Sequence, residues 1–158
     1  MKLKAHNAHN ILDLGCGGGR HAVALAKQNF SVTGIDYSNE ALSLANKWAD
    51  LEKVKINFIR GDIHQKLPFK TRKFDATLAI DCLSYDTRKS FEFSLKEILR
   101  VTKKNGLIFI TLPTSNGNPL VTHLVFTDEE IKKFISKYFK IIKIFKDIYN
   151  FTCIFAIV

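Results

Sequence analysis

Between the apolar run Asn10–Leu14 and a helix-period segment that starts at Arg20 stand five residues, Gly15-Cys16-Gly17-Gly18-Gly19, four of them glycine. Residues without a Cβ let the backbone turn sharply and bring its amides close to a ligand. A strand that enters a helix through such a turn fits the opening unit of a nucleotide-binding α/β sheet, and fits equally a tight strand-to-helix turn with no ligand. The turn is not a phosphate-cradling G-x-x-x-x-G-K-[ST] loop, because no Lys-Ser/Thr pair follows its glycines. Gly17-x-Gly19-x-x-Ala22 matches part of the dinucleotide G-x-G-x-x-A pattern. At this point a dinucleotide site and a tight turn with no ligand are both open.

The rest of the chain alternates short β-like runs with helix-period segments, the pattern of a mostly parallel sheet with helical crossovers. Strands are expected at Asn10–Leu14, Ser31–Ile35, Val54–Arg60, Asp75–Ile80 and Leu107–Leu112, with helices near Arg20–Gln28, after Ser38, and along Phe91–Leu99. In the second helix Ser38 is the N-cap, Glu40 sits in the first turn, and Ala41, Leu44, Ala45 and Trp48 form one face. Lys66–Lys73 reads as a polar surface segment, and Asn105-Gly106 as the C-terminal stop of the third helix. Thr127-x-x-Glu130 is a capping box with Phe126 and Ile131 as its hydrophobic staple. The last two β-like runs, Lys140–Phe145 and Phe151–Ile157, are separated by only Lys146–Asn150. So short a gap holds no crossover, so these two strands are antiparallel.

Two acids join the glycines. Asp36 closes the second strand about 20 residues after the glycine turn, where a carboxylate accepts hydrogen bonds from ribose hydroxyls. Gly61-Asp62-Ile63 follows the third strand, where the Asp62 carboxylate can accept from an adenine amino group and the Ile63 amide can reach a ring nitrogen. Open α/β sheets bind ligands at the carboxyl ends of their strands, and these residues lie there.

The chain has 158 residues and a net charge of +9, spread as +5 over residues 1–79 and +4 over residues 80–158. Nineteen of the 24 basic residues are lysine, which suits a solvated lysine-rich surface better than an arginine-built phosphate-reading face. The three cysteines, Cys16, Cys82 and Cys153, are odd in number and widely spaced, and so are expected as small buried hydrophobes. His6 and His9 lack a third ligand, so no metal site is expected. No apolar run is long enough to span a bilayer and no secretion signal is evident, so the expectation is a cytoplasmic protein with no membrane partner.

These residues resemble the class I S-adenosylmethionine-dependent methyltransferases. The likeness runs from Asn10 to Val158 through ILDLGCGGGRHAVALA, VTGIDYS, GDI, FDATLAID, EILRVTKKNGLIFITL and HLVFTDEEI. Lys103-Lys104-Asn105-Gly106 stands where the family has Lys-Pro-Gly-Gly. The resemblance implies a single α/β domain over residues 1–158, with residues 1–9 as a lead-in. Its doubly wound seven-stranded sheet would have the order 3-2-1-4-5-7-6, with strand 7 antiparallel. It implies S-adenosylmethionine as cofactor and S-adenosylhomocysteine as product. Asp13 would orient the cofactor's amino group, and Gly15, Cys16 and Gly17 would line the methionine portion. Asp36 would hold the ribose, Tyr37 would pack near the adenine, Asp62 and Ile63 would read its edge, and Asp81 would lie near the methyl-transfer face. Arg20 and His21 open the first helix, and His21 is read as a helix-end residue.

On the acceptor side the candidates are Tyr85, after the fourth strand, and His123, after the fifth; no catalytic base is assigned. The expected activity is methyl transfer to an unidentified acceptor, a small molecule in first place. An RNA acceptor and a non-catalytic S-adenosylmethionine-binding subunit or sensor are the alternatives. A nicotinamide dehydrogenase is disfavoured by length. Residues 1–9 are too few to form the lid helices usual in the family. That implies an open pocket, a pocket covered by a homodimer mate or partner subunit, or an incomplete start.

Overall fold

A computed structural model describes residues 7–84, 87–113, 126–148 and 151–158. Its strands are β1 (Asn10–Leu14), β2 (Ser31–Asp36), β3 (Asn57–Arg60), β4 (Phe74–Ile80), β5 (Thr102–Leu112), β6 (Lys140–Lys146) and β7 (Thr152–Ile157). Its helices are α1 (Arg20–Ala26), α2 (Asn39–Leu51), α3 (Arg88–Val101) and α4 (Asp128–Ser136). The seven strands form one sheet in the order β3-β2-β1-β4-β5-β7-β6. β1 to β5 are parallel, and β7 runs antiparallel to both β5 and β6. Sheet order and strand directions are those expected from the family resemblance.

Both faces of the central strands are apolar because helices cover both. Leu12, Leu14, Ile35, Ile108, Ile110 and Ile154 point to the face packed by Phe91, Leu95 and Ile98 of α3 and Ile131 and Ile135 of α4. Ile11, Val32, Ala76, Leu78 and Phe155 point to the other, with Ala22 and Leu25 of α1. α4 begins with the expected capping box: Thr127 Oγ1 accepts from Glu130 N, and Glu130 Oε2 accepts from Thr127 N. Phe126 and Ile131 are both fully buried, as the staple requires.

Four local expectations are corrected. β3 is shorter than Val54–Arg60, since Val54 N still donates back to Ala49 O and only Asn57–Arg60 reaches β2. α2 has Ser38 as its N-cap but buries Leu42, Ala45 and Ala49, while Leu44 and Trp48 face outward. Close approach to the glycine turn selects the small face: a methyl at Gly19 would lie 2.9 Å from Ala45 Cβ.

Lys66–Lys73 is not merely a surface segment, because Leu67 and Phe69 are buried. Arg100 holds it down, donating to Phe69 O (2.7 Å) and Leu67 O (3.0 Å), while Glu97 accepts from Leu67 N (2.7 Å). Asn105-Gly106 does not end α3, which stops at Val101. Instead it forms an irregularity in β5, where Thr102 pairs with Phe74 and Leu107 with Ala76. Asn105 takes φ +62° there. Gly106 has no room for a side chain, because a Cβ would meet Asp75 O at 2.9 Å and Lys103 O at 2.8 Å.

Candidate active site

β1, β2, β3 and β4 lie side by side and all end at one rim of the sheet. After β1 the chain turns through Gly15 and Cys16, whose amides both donate to Ile35 O of β2 (2.8 and 3.0 Å). Gly15 has φ +67°, and a Cβ there would stand 2.4 Å from Cys82 Cβ. Only glycine fits both the backbone and the space. Asp36, at the end of β2, is buried; its Oδ2 accepts from Gly17 N (2.8 Å) and its Oδ1 from Ser38 N (3.0 Å). One carboxylate therefore fixes both the glycine turn and the start of α2, and each oxygen keeps a second lone pair.

After β3, Asp62 folds its own turn. Its Oδ1 accepts from His64 N (2.8 Å) and its Oδ2 from Gln65 Nε2 (3.0 Å). After β4, Asp81 adopts φ +53° and donates its amide to Thr111 Oγ1 (2.8 Å). Gly15, Asp36, Tyr37, Asp62, Ile63, His64, Asp81 and Cys82 line one cleft of ≈ 490 Å³, within the range typical of small-ligand sites. Six of the residues singled out by sequence thus meet on one wall: Gly15, Asp36, Tyr37, Asp62, Ile63 and Asp81.

The other three, Asp13, Cys16 and Gly17, are not in that lining. Asp13 is only 2% exposed and its Oδ2 has no hydrogen-bond donor among the described residues. Burial pushes its carboxyl up to about 7, the nearby Asp36 charge adds to the rise, and the Ala22 amide opposes it. Cys16 is buried, and its thiol is pushed up to about 12 by burial first and then by Asp13 and Asp36. Gly17 is held against Asp36.

Sequence reasoning missed His64 and Cys82 as cleft residues. The position of His64 directly after Ile63 was the available signal for the first; Cys82 is the buried small residue expected, and its Sγ bonds Leu14 O. Burial lowers the affinity of His21 for a proton, and neighbouring Arg20 adds to this. Tyr85 and His123 lie outside the described residues. Among the described residues no cluster could hold a metal ion, and no helix is long and apolar enough to cross a membrane.

The family profile described as "Methyltransferase domain" matches residues 11–106, from β1 into β5. The chain belongs to the class I S-adenosylmethionine-dependent methyltransferases. Among its methyltransferase relatives is a putative methyltransferase of Geobacillus sp. (strain WCH70). It is 34% identical over 145 residues, covering 87% of this chain and 58% of that protein. A ubiquinone biosynthesis O-methyltransferase of Rickettsia akari is 33% identical over 115 residues, 70% of this chain and 44% of that protein. The fold is shared with magnesium protoporphyrin IX methyltransferase from Synechocystis PCC 6803, solved with bound S-adenosylhomocysteine. The TM-score is 0.84 at 17% identity, over 99% of this chain and 78% of that one. This methyltransferase domain spans about half the length of the curated relatives it matches.

The residues present fit the cofactor of such a methyltransferase. S-adenosylmethionine carries a cationic sulfonium and an ammonium. In a chain of net charge +9, this rim gathers the carboxyls of Asp13, Asp36, Asp62 and Asp81. Asp13 Oδ2 is a buried acceptor that lacks a donor among the described residues.

Proposed function

We propose that this domain binds S-adenosylmethionine in the cleft at the ends of β1–β4 and transfers its methyl group to a small-molecule acceptor. The observation that carries the reading is the convergence of Gly15, Asp36, Asp62 and Asp81, delivered by four adjacent strands, on one cleft. In this reading Asp36 accepts from the ribose hydroxyls through its remaining lone pairs. Asp62 and the Ile63 amide take the adenine edge, with Tyr37 beside the ring. Gly15, Cys16, Gly17 and Asp81 surround the methionyl arm, and Asp13 faces the ammonium directly or through water.

Bound S-adenosylmethionine supplies a methyl carbon on a sulfonium, which is already an activated leaving group. The protein therefore has mainly to orient the acceptor in line with that carbon. A base is needed only where the acceptor atom must lose a proton. Tyr85 and His123 are the acceptor-side residues by sequence order, following β4 and β5. The likeness to an O-methyltransferase of ubiquinone biosynthesis supports a small acceptor over RNA.

Calorimetry with S-adenosylhomocysteine, S-adenosylmethionine and NADH tests the cofactor half, and a labelled-methyl assay on metabolite and RNA pools tests the acceptor half. Both adenosyl ligands should bind and label should enter the metabolite fraction. Asp36→Ala should weaken S-adenosylhomocysteine by roughly 5- to 150-fold, the effect of losing a charged acceptor worth about 1–3 kcal/mol. Binding of NADH alone overturns the cofactor assignment, and label confined to RNA overturns the acceptor.

A further inference from the structure

A second cavity, of ≈ 590 Å³, opens at the other end of the sheet, where β1, β2 and β3 begin. Side chains alternate between the two faces along a strand. Asn10 therefore shares the face of Leu12, Ser31 and Thr33 that of Ile35, and Asn57 that of Ile59, all on the side packed by α3 and α4. A parallel strand covered by helices carries apolar residues on both faces. Here the covered side turns polar over its first residues, with Asn10 beside Ser31 and Thr33 beside Asn57 in the register. No helix residue lines the cavity. Thr33 is only 9% exposed, yet its hydroxyl makes no hydrogen bond among the described residues, and the side chains of Asn10, Ser31 and Asn57 make none there either.

Two ammonium groups complete the lining, Lys55 before β3 and Lys73 before β4. Neither forms an ion pair among the described residues. Lys73 Nζ lies 4.9 and 5.1 Å from the ring centroids of Phe69 and Phe74, which support the chain without neutralising its charge. No carboxylate lines the cavity. Asp75, next in sequence to Phe74, is engaged by Lys103 Nζ (2.6 Å) and by the amides of His9 and Asn10 (2.9 and 2.7 Å).

We propose that this cavity is a second binding site, for a small phosphorylated polyol of the sugar-phosphate class. A phosphate monoester carries nearly two negative charges near neutral pH and three acceptor oxygens, which matches two ammonium groups where a single carboxylate would leave one unanswered. Lysine serves phosphate as a point charge. The hydroxyls of Ser31 and Thr33 and the amides of Asn10 and Asn57 both donate and accept, as sugar hydroxyls require. The volume is within the range of small-ligand sites. This site shares no residue with the cofactor cleft, which lies at the opposite ends of the same strands.

Calorimetry with ribose 5-phosphate, glucose 6-phosphate and glycerol 3-phosphate, and with ribose and inorganic phosphate as the two halves of the ligand, tests this in wild type, Lys55→Ala, Thr33→Val and Lys89→Ala. At least one ester should bind saturably and more tightly than either half. Lys55→Ala should weaken that ester by about 10-fold and Thr33→Val, which keeps the shape and β-branching, by about fivefold. Lys89→Ala, an exposed residue of α3 outside the cavity, should change nothing. The side-chain amide resonances of Asn10 and Asn57 should shift on titration with the same ester, a readout that needs no variant. S-adenosylhomocysteine should not displace it. Absence of saturable binding by all three esters at millimolar concentration overturns the proposal. So does equal weakening by Lys89→Ala, which would mean attraction to diffuse positive charge. Binding that leaves the Asn10 and Asn57 amides unmoved places the ester elsewhere and overturns it too.

Discussion

Replacing Asp13 by Asn isolates the energetic cost of a buried acid. Burial lifts this carboxyl from 3.8 to about 7. A folded-state value above the unfolded one means that the native protein holds a proton the unfolded chain releases. Its stabilising share is complete below about pH 4 and is lost as pH rises through 7. Between pH 5 and pH 8 the change covers two of those units, at 1.36 kcal/mol each, or about 3 kcal/mol. For a domain of this size that is a relative melting shift of roughly 5–10 °C. Asn has the shape of the protonated acid and does not titrate, so variant and wild type should be similar at pH 5. The variant should then be the more stable at pH 8. Melting curves of both proteins across that range measure the difference, with every other titrating group cancelling between them. Saturating S-adenosylhomocysteine should narrow the gap at pH 8, because its ammonium would give Asp13 Oδ2 a donor. Parallel loss of stability in the two proteins would refute the reasoning about Asp13.

Gly15→Ala places a methyl 2.4 Å from Cys82 Cβ at φ +67°; it should destabilise by roughly 2–4 kcal/mol and abolish ligand binding, as read by denaturant melts and calorimetry. Arg100→Ala removes the bonds to Leu67 O and Phe69 O and strands the buried Glu97, so it should cost about 2–4 kcal/mol, measured by the same melts. Bonding to Arg100 holds the Glu97 carboxyl below its ordinary 4.5; the folded value is depressed, so this contribution is present above 4.5 and is lost as pH falls through the folded value. A wild type and Arg100→Ala that lose stability in parallel under acid would contradict that. Cys16 and Cys82 both have thiols raised by burial first and then by Asp13, so a thiol reagent at pH 8 should leave the native protein unlabelled at these sites and react on unfolding.

What the sequence revealed was what is encoded by neighbours. The glycine turn, the acids closing β2 and following β3, and the Thr127 capping box each lie within a few residues and carry their geometry with them. The burial of Leu67 and Phe69 was illegible because the groups that hold them down, on Arg100, lie 33 and 31 residues away. Lysines on either side made the segment look solvated. The buried face of α2 was misread for a related reason: large apolar side chains dominate a periodicity count, whereas contact with Gly19 needed small ones. His64 escaped notice because its hydrogen-bond partner, Ser94, lies 30 positions on. Tyr85 and His123 lie outside the described residues, so their assignment rests on sequence order.

The last strand in sequence, β7, is wedged between β5 and β6. A nascent chain that has emerged only as far as β6 therefore offers that strand no ladder to join. The lysine-bearing hairpin arm must wait, and the flank of β5 stays open to mispairing with other chains. Pairing of β6 thus waits on β7, so a deletion within β7 should lower the yield of folded protein more than an equal deletion within β3 at the far edge of the sheet.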